Sequence, residues 1–458
     1  MRHFGFMALL APFALLAFGC EEDPSASPGG FQLPEGGSGF EIPDSSTPTP
    51  DSSTPDAPAP SGVTVTVKKD GAPQKDVRVI FHDATGAVTG DFKTDAAGVL
   101  TQAVAPSMVT VLAPDAEIET ELAPLTYLGV AEGDALTVEL DGVNDVSKIG
   151  AYSVTLGGGF ANAERYSVQA GSNCPSAFGP SDGTFTVDLY PACVGAQGAV
   201  LASASSGDGT PLAFSFAKNL AKPAGGATIA VPALGPFVAA GSLTVTATNM
   251  PPNAHGWAAA AALVDGRSFD LGFAGGNFPA EPARFHLPIG FGDAHQAAMG
   301  SYADGSTRTI VKREPATVSN ISFDSATLLP SLGASDIVAD DLKRPKVTWS
   351  PAAPLTGTDG GVLMLIWYQS STPLRWRFVI PPGTTEVIAP ALPADLSIPP
   401  STQADVSLSD LAFVEATHLE GYKAFKSLPM PSGDAPRIFW TDTPLPANGT
   451  VRTVRFGD

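Results

Sequence analysis

Basic residues are scarce in this chain of 458 residues: 25 Lys and Arg stand against 46 Asp and Glu, a formal net charge of −21. That balance excludes nucleic acid as a partner and polybasic docking onto anionic lipid. Long apolar runs are also lacking beyond the N-terminus. Val362 to Tyr368 is only seven residues, where a spanning helix needs roughly 20. Helix-period runs are hard to find, and the chain carries 48 Gly and 43 Pro. Cysteine is limited to three residues, Cys20, Cys174 and Cys193. HExxH is absent, as are the S-D-N and K-T-G partners of an S-x-x-K serine, so the commonest metalloprotease and penicillin-recognising signatures are missing.

The N-terminus is the apolar exception. Met1-Arg2-His3 is a short basic start, and Phe4 to Phe18 is apolar apart from small residues. This order of charged, apolar and small residues is that of a secretory signal. Leu16-Ala17-Phe18-Gly19-Cys20 resembles a bacterial lipobox. The resemblance implies a signal peptide over 1–19, a cut before Cys20 and lipidation of Cys20 through a diacylglyceryl thioether, with a further acyl chain such as palmitate on the new amine. Two or three acyl chains hold a protein stably to a bilayer. Residues 21–60 then carry eight Asp or Glu, nine Pro and no Lys or Arg, with PDSSTP repeated at 43–48 and 50–55. Such a segment cannot bury enough apolar surface to order itself. Residues 20–61 therefore read as a lipid-anchored, acidic, Pro/Ser/Thr-rich linker, extended by proline and like charge.

Beyond the linker the pattern is mainly β. Alternating runs occur at Gly62–Lys68, Val77–Phe81, Leu136–Leu140, Gly183–Leu189 and Gly241–Thr248, separated by Gly, Pro and Asp turns. Short strands at such spacing predict β-sandwiches. The expected units are 62–142, 147–235, 236–345 and 346–458. Within the first, Asp70-Gly71, the strand residues Val77, Val79 and Phe81, and Thr94-Asp95-Ala96-Ala97-Gly98 before Val99 resemble the carboxypeptidase regulatory-like, transthyretin-like sandwich. That resemblance covers under a fifth of the chain. It implies a module that braces or spaces other domains and does no chemistry itself. In the last unit, PKVTWSP (345–351), RWRFVIPPG (375–383) and VIAPALPADL (387–396) loosely resemble fibronectin-type strand starts. VSLSDLAFVEATHLEGYKAF (406–425) reads as a strand crossing to a Tyr-containing turn. The fold class expected is a tandem array of Ig-like and transthyretin-like β-sandwich domains behind a disordered stalk.

Candidate site residues are few. In an exported chain Cys174 and Cys193 are expected to pair. They enclose eighteen residues, a loop whose closure is worth about 3 kcal/mol. Gly179-Pro180-Ser181-Asp182-Gly183 matches G-x-S-x-G, but the hydrolase elbow needs a helix after the serine, and Thr184–Leu189 alternates like a strand. Ser215-Phe216-Ala217-Lys218 matches S-x-x-K by chance. His286, Asp293 and His295 are the best metal candidates, since Asp293 and His295 would share a face of an extended strand; the spacing matches no metal motif, so no metal or other cofactor is expected. Trp349, Trp367 and Trp376 are candidates for an aromatic platform that stacks on sugar rings, against the commoner use of Trp in a core.

No coherent set of acid, base and nucleophile emerges. The leading expectation is a non-enzymatic lipoprotein, held to the membrane by its N-terminal lipid in the outer membrane or at the cell surface of a Gram-negative bacterium. It would act as spacer, scaffold or adhesin, as a monomer, with a glycan or an envelope protein as partner. The alternative is an extracytoplasmic hydrolase or carbohydrate-binding protein with a site formed between domains.

Overall fold

Alternating Val and Thr form strands where the sequence predicts them. The computed structural model describes residues 62–456 apart from 70, 104–105, 115–121, 141–147, 173, 192–193, 251–254, 276–277, 279–280, 339–340, 342, 370–371, 397–405, 432–436, 440 and 442. The signal segment, Cys20 and the acidic linker lie outside the described residues. The chain is mainly β, with one short α-helix among the described residues, Gly421–Ser427. No helix among them is long and apolar enough to cross a membrane.

Val63–Lys69, Arg78–His82, Ala135–Leu140, Thr184–Leu189 and Gly241–Thr248 are all strands. In the first, Val63, Val65 and Val67 are wholly buried while the threonines between them are not, as a two-residue side-chain period requires. The turns between these strands follow from their Asp and Gly residues. Asp95 Oδ1 accepts from the backbone N–H of Ala97 (2.8 Å) and Val99 (2.9 Å). Gly98 closes that turn at φ +68°, and a Cβ there would sit 2.5 Å from the Val67 carbonyl oxygen. Only glycine meets both demands without strain.

Among the described residues the strands assemble into six sheets, the largest of twelve strands. Its order is Arg267–Ala274, His255–Val264, Ala294–Ala303, Ser306–Pro315, Thr450–Phe456, Ser407–Ala416, Gly360–Gln369, Thr372–Ile380, Leu122–Leu128, Met108–Pro114, Arg78–His82 and Val88–Lys93. Stretches 62–142, 236–345 and 346–458 each supply four of these strands, so three sandwiches share one wall. Two seams join them within the wall, and outside it Pro429–Pro431 pairs parallel with Ala135–Leu140 through Pro429↔Thr137, Met430↔Val138 and Pro431↔Glu139. Thr450–Phe456 pairs antiparallel with Ser306–Pro315 over seven residue pairs from Ser306↔Phe456 to Lys312↔Thr450. Thr372–Ile380 pairs parallel with Leu122–Leu128 through Arg377↔Leu125, Phe378↔Thr126 and Val379↔Tyr127.

Residues opposite each other across paired strands share a face, which assigns the covering layers. On one face Val362, Val379, Ala412, Val451, Tyr127 and Val109 pack with Val63, Val65 and Val138 of a sheet built on Val63–Lys69 and Ala135–Leu140. On the other, Leu363, Trp367, Trp376, Phe378 and Phe413 pack with Val347, Trp349 and Val387. Further along that face Ala258, Ala297, Met299 and Ile310 pack with Val245, Phe285 and Phe323. Ser335–Val338 pairs with Lys346–Trp349 across the boundary expected at 345/346. The stretch 147–235 forms two further sheets around Tyr152, Val168, Phe185 and Val187, the larger completed by Val238–Ala239 from beyond the boundary expected at 235/236. It leans on the outer edge of the large sheet. The Ser172 N–H donates to the Ser268 carbonyl (2.8 Å), and Leu201 and Phe214 share a core with Phe269 and Phe291. Covering that edge blunts the tendency of open strands to pair with other chains.

Two polar devices reinforce the parallel seam. Lys426 and Asp134 form an ion pair with each side chain 4% exposed, and Lys426 Nζ also donates to the Gly129 carbonyl (2.9 Å). Tyr422 donates to the carbonyls of Leu128 (2.6 Å) and Val379 (3.1 Å), one from each side of the seam. The residues expected as a strand and turn over 406–425 are thus a strand, Ser407–Ala416, and then a helix that carries these groups. The apolar Tyr422 and Phe425 face inward from that helix, at the three-residue spacing of one helix face. Asp359 ties the helix to the strand before it, accepting from the N–H of Ala416 at the strand's end (2.7 Å) and from that of Gly421, the first helical residue (3.1 Å).

On the opposite face a chain of side-chain hydrogen bonds crosses four strands. Trp376 Nε1 donates to Thr126 Oγ1 (2.9 Å), Thr126 bonds Thr110 (2.9 Å), and Thr110 bonds His82 Nε2 (2.9 Å). Burial pushes the His82 imidazole down to about 4, so it is neutral at pH 7. The unfolded chain, with an ordinary histidine near 6.5, binds a proton between those values that the folded chain refuses. Stability is therefore full above pH 6.5 and falls as the pH drops towards 4, by about 3 kcal/mol. Urea unfolding of His82→Gln at a series of pH values is expected to show a shallower loss than wild type over that window. Parallel curves would refute the assignment.

Candidate ligand-binding face

The residues singled out from the sequence do not converge on a site. Trp349 (4% exposed), Trp367 (2%) and Trp376 (0%) are core residues, so the sugar platform expected of them is corrected: their rings pack against Phe413, Leu363 and Phe378 within the wall. His286, Asp293 and His295 are likewise not a metal set. Asp293 pairs with Lys218 (3.5 Å) and accepts from the Asp265 N–H (3.2 Å), while His295 Nε2 bonds the Ala316 carbonyl (3.0 Å). No group of three His, Cys, Asp or Glu that could hold a metal occurs among the described residues.

Ser181 lies in the turn between Ala177–Gly179 and Thr184–Leu189, with a strand after it where the hydrolase elbow has a helix. Ser215 donates to the Gly235 carbonyl (2.8 Å) and Lys218 to that of Phe291 (3.1 Å), so the two do not form a nucleophile and base. Cys174 is buried. Cys193 lies outside the described residues.

The structure instead gathers aromatic side chains at one end of the large sheet. Trp257 stands opposite Gly300, His255 opposite Tyr302, and Ala259 opposite Phe273. His255, Trp257, Phe273 and Tyr302 therefore share a face, while Ala258, Ala260 and Met299 turn to the buried side. Phe273 is 49% exposed and Tyr302 48%; His255 is exposed and Trp257 half-buried. The Trp257 indole lies directly on Gly300, where an added Cβ would fall 2.1–2.4 Å from its ring atoms. Trp257 and Phe273 are stacked, with centroids 5.7 Å apart and planes at 27°. The neighbours on this face, Ala259 and Ala298, are small, and Trp257 packs by its inner side on the cluster that holds Ala298 and Val311.

The same row continues into polar groups. Tyr302 is opposite Thr307, and Thr307 opposite Arg455. The exposed Arg455 donates from Nε to Asp410 (2.8 Å). Asp410 is 3% exposed, and burial pushes its carboxyl up while Arg455 and Arg377 pull it down. From the Trp257 strand to the Asp410 strand is four strand spacings, about 19 Å. The row thus passes from flat aromatic surface through a hydroxyl to a self-neutralised ion pair. A second depression, about 710 Å³, lies beside Arg78, Asp91, Phe92 and Leu112. Its central cation is already engaged, since Arg78 donates to both Asp91 and Asp395 at 2.6 Å.

These features define a mainly β protein of side-by-side sandwiches with an exposed aromatic row. No family model matches the chain, and no curated protein matches it. Among solved structures, the Bacillus anthracis TIE protein aligns at 11% identity over 58% of this chain and 50% of its own, with a TM-score of 0.14. The FN1–FN3 domains of chicken CNTN1 align at 11% identity over 55% of this chain and 82% of theirs, with a TM-score of 0.12.

The seating of Trp257 has a direct consequence. Gly300→Ala places a methyl group in the indole and is expected to drive the ring outward. Tryptophan emission should shift to the red, because Trp349, Trp367 and Trp376 remain buried, and stability should fall by about 1–3 kcal/mol. Unchanged emission would show that Trp257 does not rest on Gly300.

Proposed function

We propose that the chain is a non-enzymatic scaffold of the bacterial envelope or cell surface, tethered through lipid on Cys20. In this reading residues 21–60 are the spacer, and the β body is held off the bilayer as one block. The observation that supports it best is the shared twelve-stranded wall. Tandem modules joined by linkers bend at each linker, whereas these are joined by backbone hydrogen bonds and a buried ion pair. Such a body transmits position from one end to the other, which is what a spacer or scaffold requires. The acidic balance of the chain favours solubility and fits a body carried away from an anionic surface. Cys193 is the proposed partner of Cys174, as an exported chain would form.

Fractionation of cells tests the tether. Wild type is expected to sediment with membranes, to partition into detergent and to incorporate labelled palmitate. Cys20→Ala is expected to lose all three properties while staying folded. Equal membrane retention of the variant would contradict the lipid anchor.

A further inference from the structure

We propose that the row of Trp257, Phe273, Tyr302, Thr307 and Arg455 binds a neutral polysaccharide. This goes beyond the scaffold reading and does not depend on the lipid anchor. Three observations select the ligand class. The first is shape. Trp257 and Phe273 lie nearly parallel, 27° apart, on a floor of Gly300, Ala259 and Ala298. Near-parallel rings leave an outward aromatic face that is flat, where a cage for a cationic group would need rings set at steep angles around it. A pyranose ring offers a matching flat face of C–H groups, with hydroxyls at its rim.

The second observation is the sequence of chemistry along the row. Aromatic surface gives way to the Thr307 hydroxyl and then to the Arg455–Asp410 pair. Apolar stacking combined with a few placed donors and acceptors is the usual composition of a small-molecule or sugar subsite. The length of about 19 Å over four strand spacings suits a chain of several sugar units better than a single one. The third observation is charge. The chain carries −21 overall, and the one exposed cation on the row is matched by Asp410. A polyanion finds no net attraction there, which leaves an uncharged chain. Half-exposed Phe273 and Tyr302 beside Trp257 form the kind of apolar patch that marks a binding surface more often than chance exposure.

Affinity electrophoresis of the full-length chain in detergent tests this. The native gels contain hydroxyethyl cellulose, glucomannan, galactomannan or dextran, with carboxymethyl cellulose as an anionic counterpart of the first. Retardation is expected in at least one neutral polymer and not in carboxymethyl cellulose. Phe273→Ala and Trp257→Ala should each weaken it about tenfold, the equivalent of about 1.4 kcal/mol, and Trp257→Phe should retain part of it. Phe273 is half-exposed, so its variant is expected to keep the wild-type circular dichroism and melting temperature, which separates loss of binding from loss of fold. Absence of retardation in every neutral polymer would overturn the proposal. So would retardation that Phe273→Ala leaves intact, or retardation in carboxymethyl cellulose that salt abolishes.

Discussion

Backbone pairing at the two seams is the constraint on which the rest of the molecule depends. The parallel seam is the shorter, three residue pairs between Thr372–Ile380 and Leu122–Leu128. A pairing so short would not hold two modules by itself. Side chains on both faces make it cooperative: Trp376 reaches across to Thr126 on one side, and Tyr422 and Lys426 reach across to Leu128 and Asp134 on the other. The ion pair matters less for its net energy than for the cost of breaking it, because a charge left alone in that position has no solvent. The helix Gly421–Ser427 thus behaves as a clasp whose failure would expose a buried charge.

The same wall explains where the aromatic row lies. A sheet packed on both faces leaves no room for exposed rings, and Trp349, Trp367 and Trp376 sit where the wall is doubly covered. Towards its outer end the covering layer of the first sandwich stops. There the face holding His255, Trp257, Phe273 and Tyr302 meets solvent, while the reverse face is still covered by Val245, Phe285 and Phe323. Exposure on this row is a result of topology, since the strands that carry it are as regular as those in the middle.

Much of the strand pattern was legible in the sequence because the two-residue period and the Asp and Gly turns act locally, as Val63–Lys69 and the Asp95–Gly98 turn illustrate. The shared wall was not, because edge-to-edge pairing uses backbone groups that every residue carries alike. Trp367 and Trp376, expected on a sugar platform, are core residues for a related reason: they stand among Leu, Ile, Phe and Val, which already have the bulk to enclose an indole. Trp257 precedes the run Ala258 to Ala262, whose methyl groups cannot enclose one. That contrast of neighbour size was the available signal. Asp293 and His295 shared a plausible strand spacing, but spacing says nothing about the partners, Lys218 and Ala316, that the fold supplies. The helix at 421–427 was missed because it is short and its stability comes from the seam it closes.

Native-state hydrogen exchange across the two seams tests the central claim most directly. If the wall is one cooperative body, the amides of Leu122–Leu128, Thr372–Ile380, Ser306–Pro315 and Thr450–Phe456 share a single, highest exchange free energy and respond together to denaturant. If instead the strands of 62–142 open at a lower free energy than those of 346–458, with exchange at the parallel seam following the weaker of the two, the sandwiches are independent modules and the account of one continuous wall is wrong.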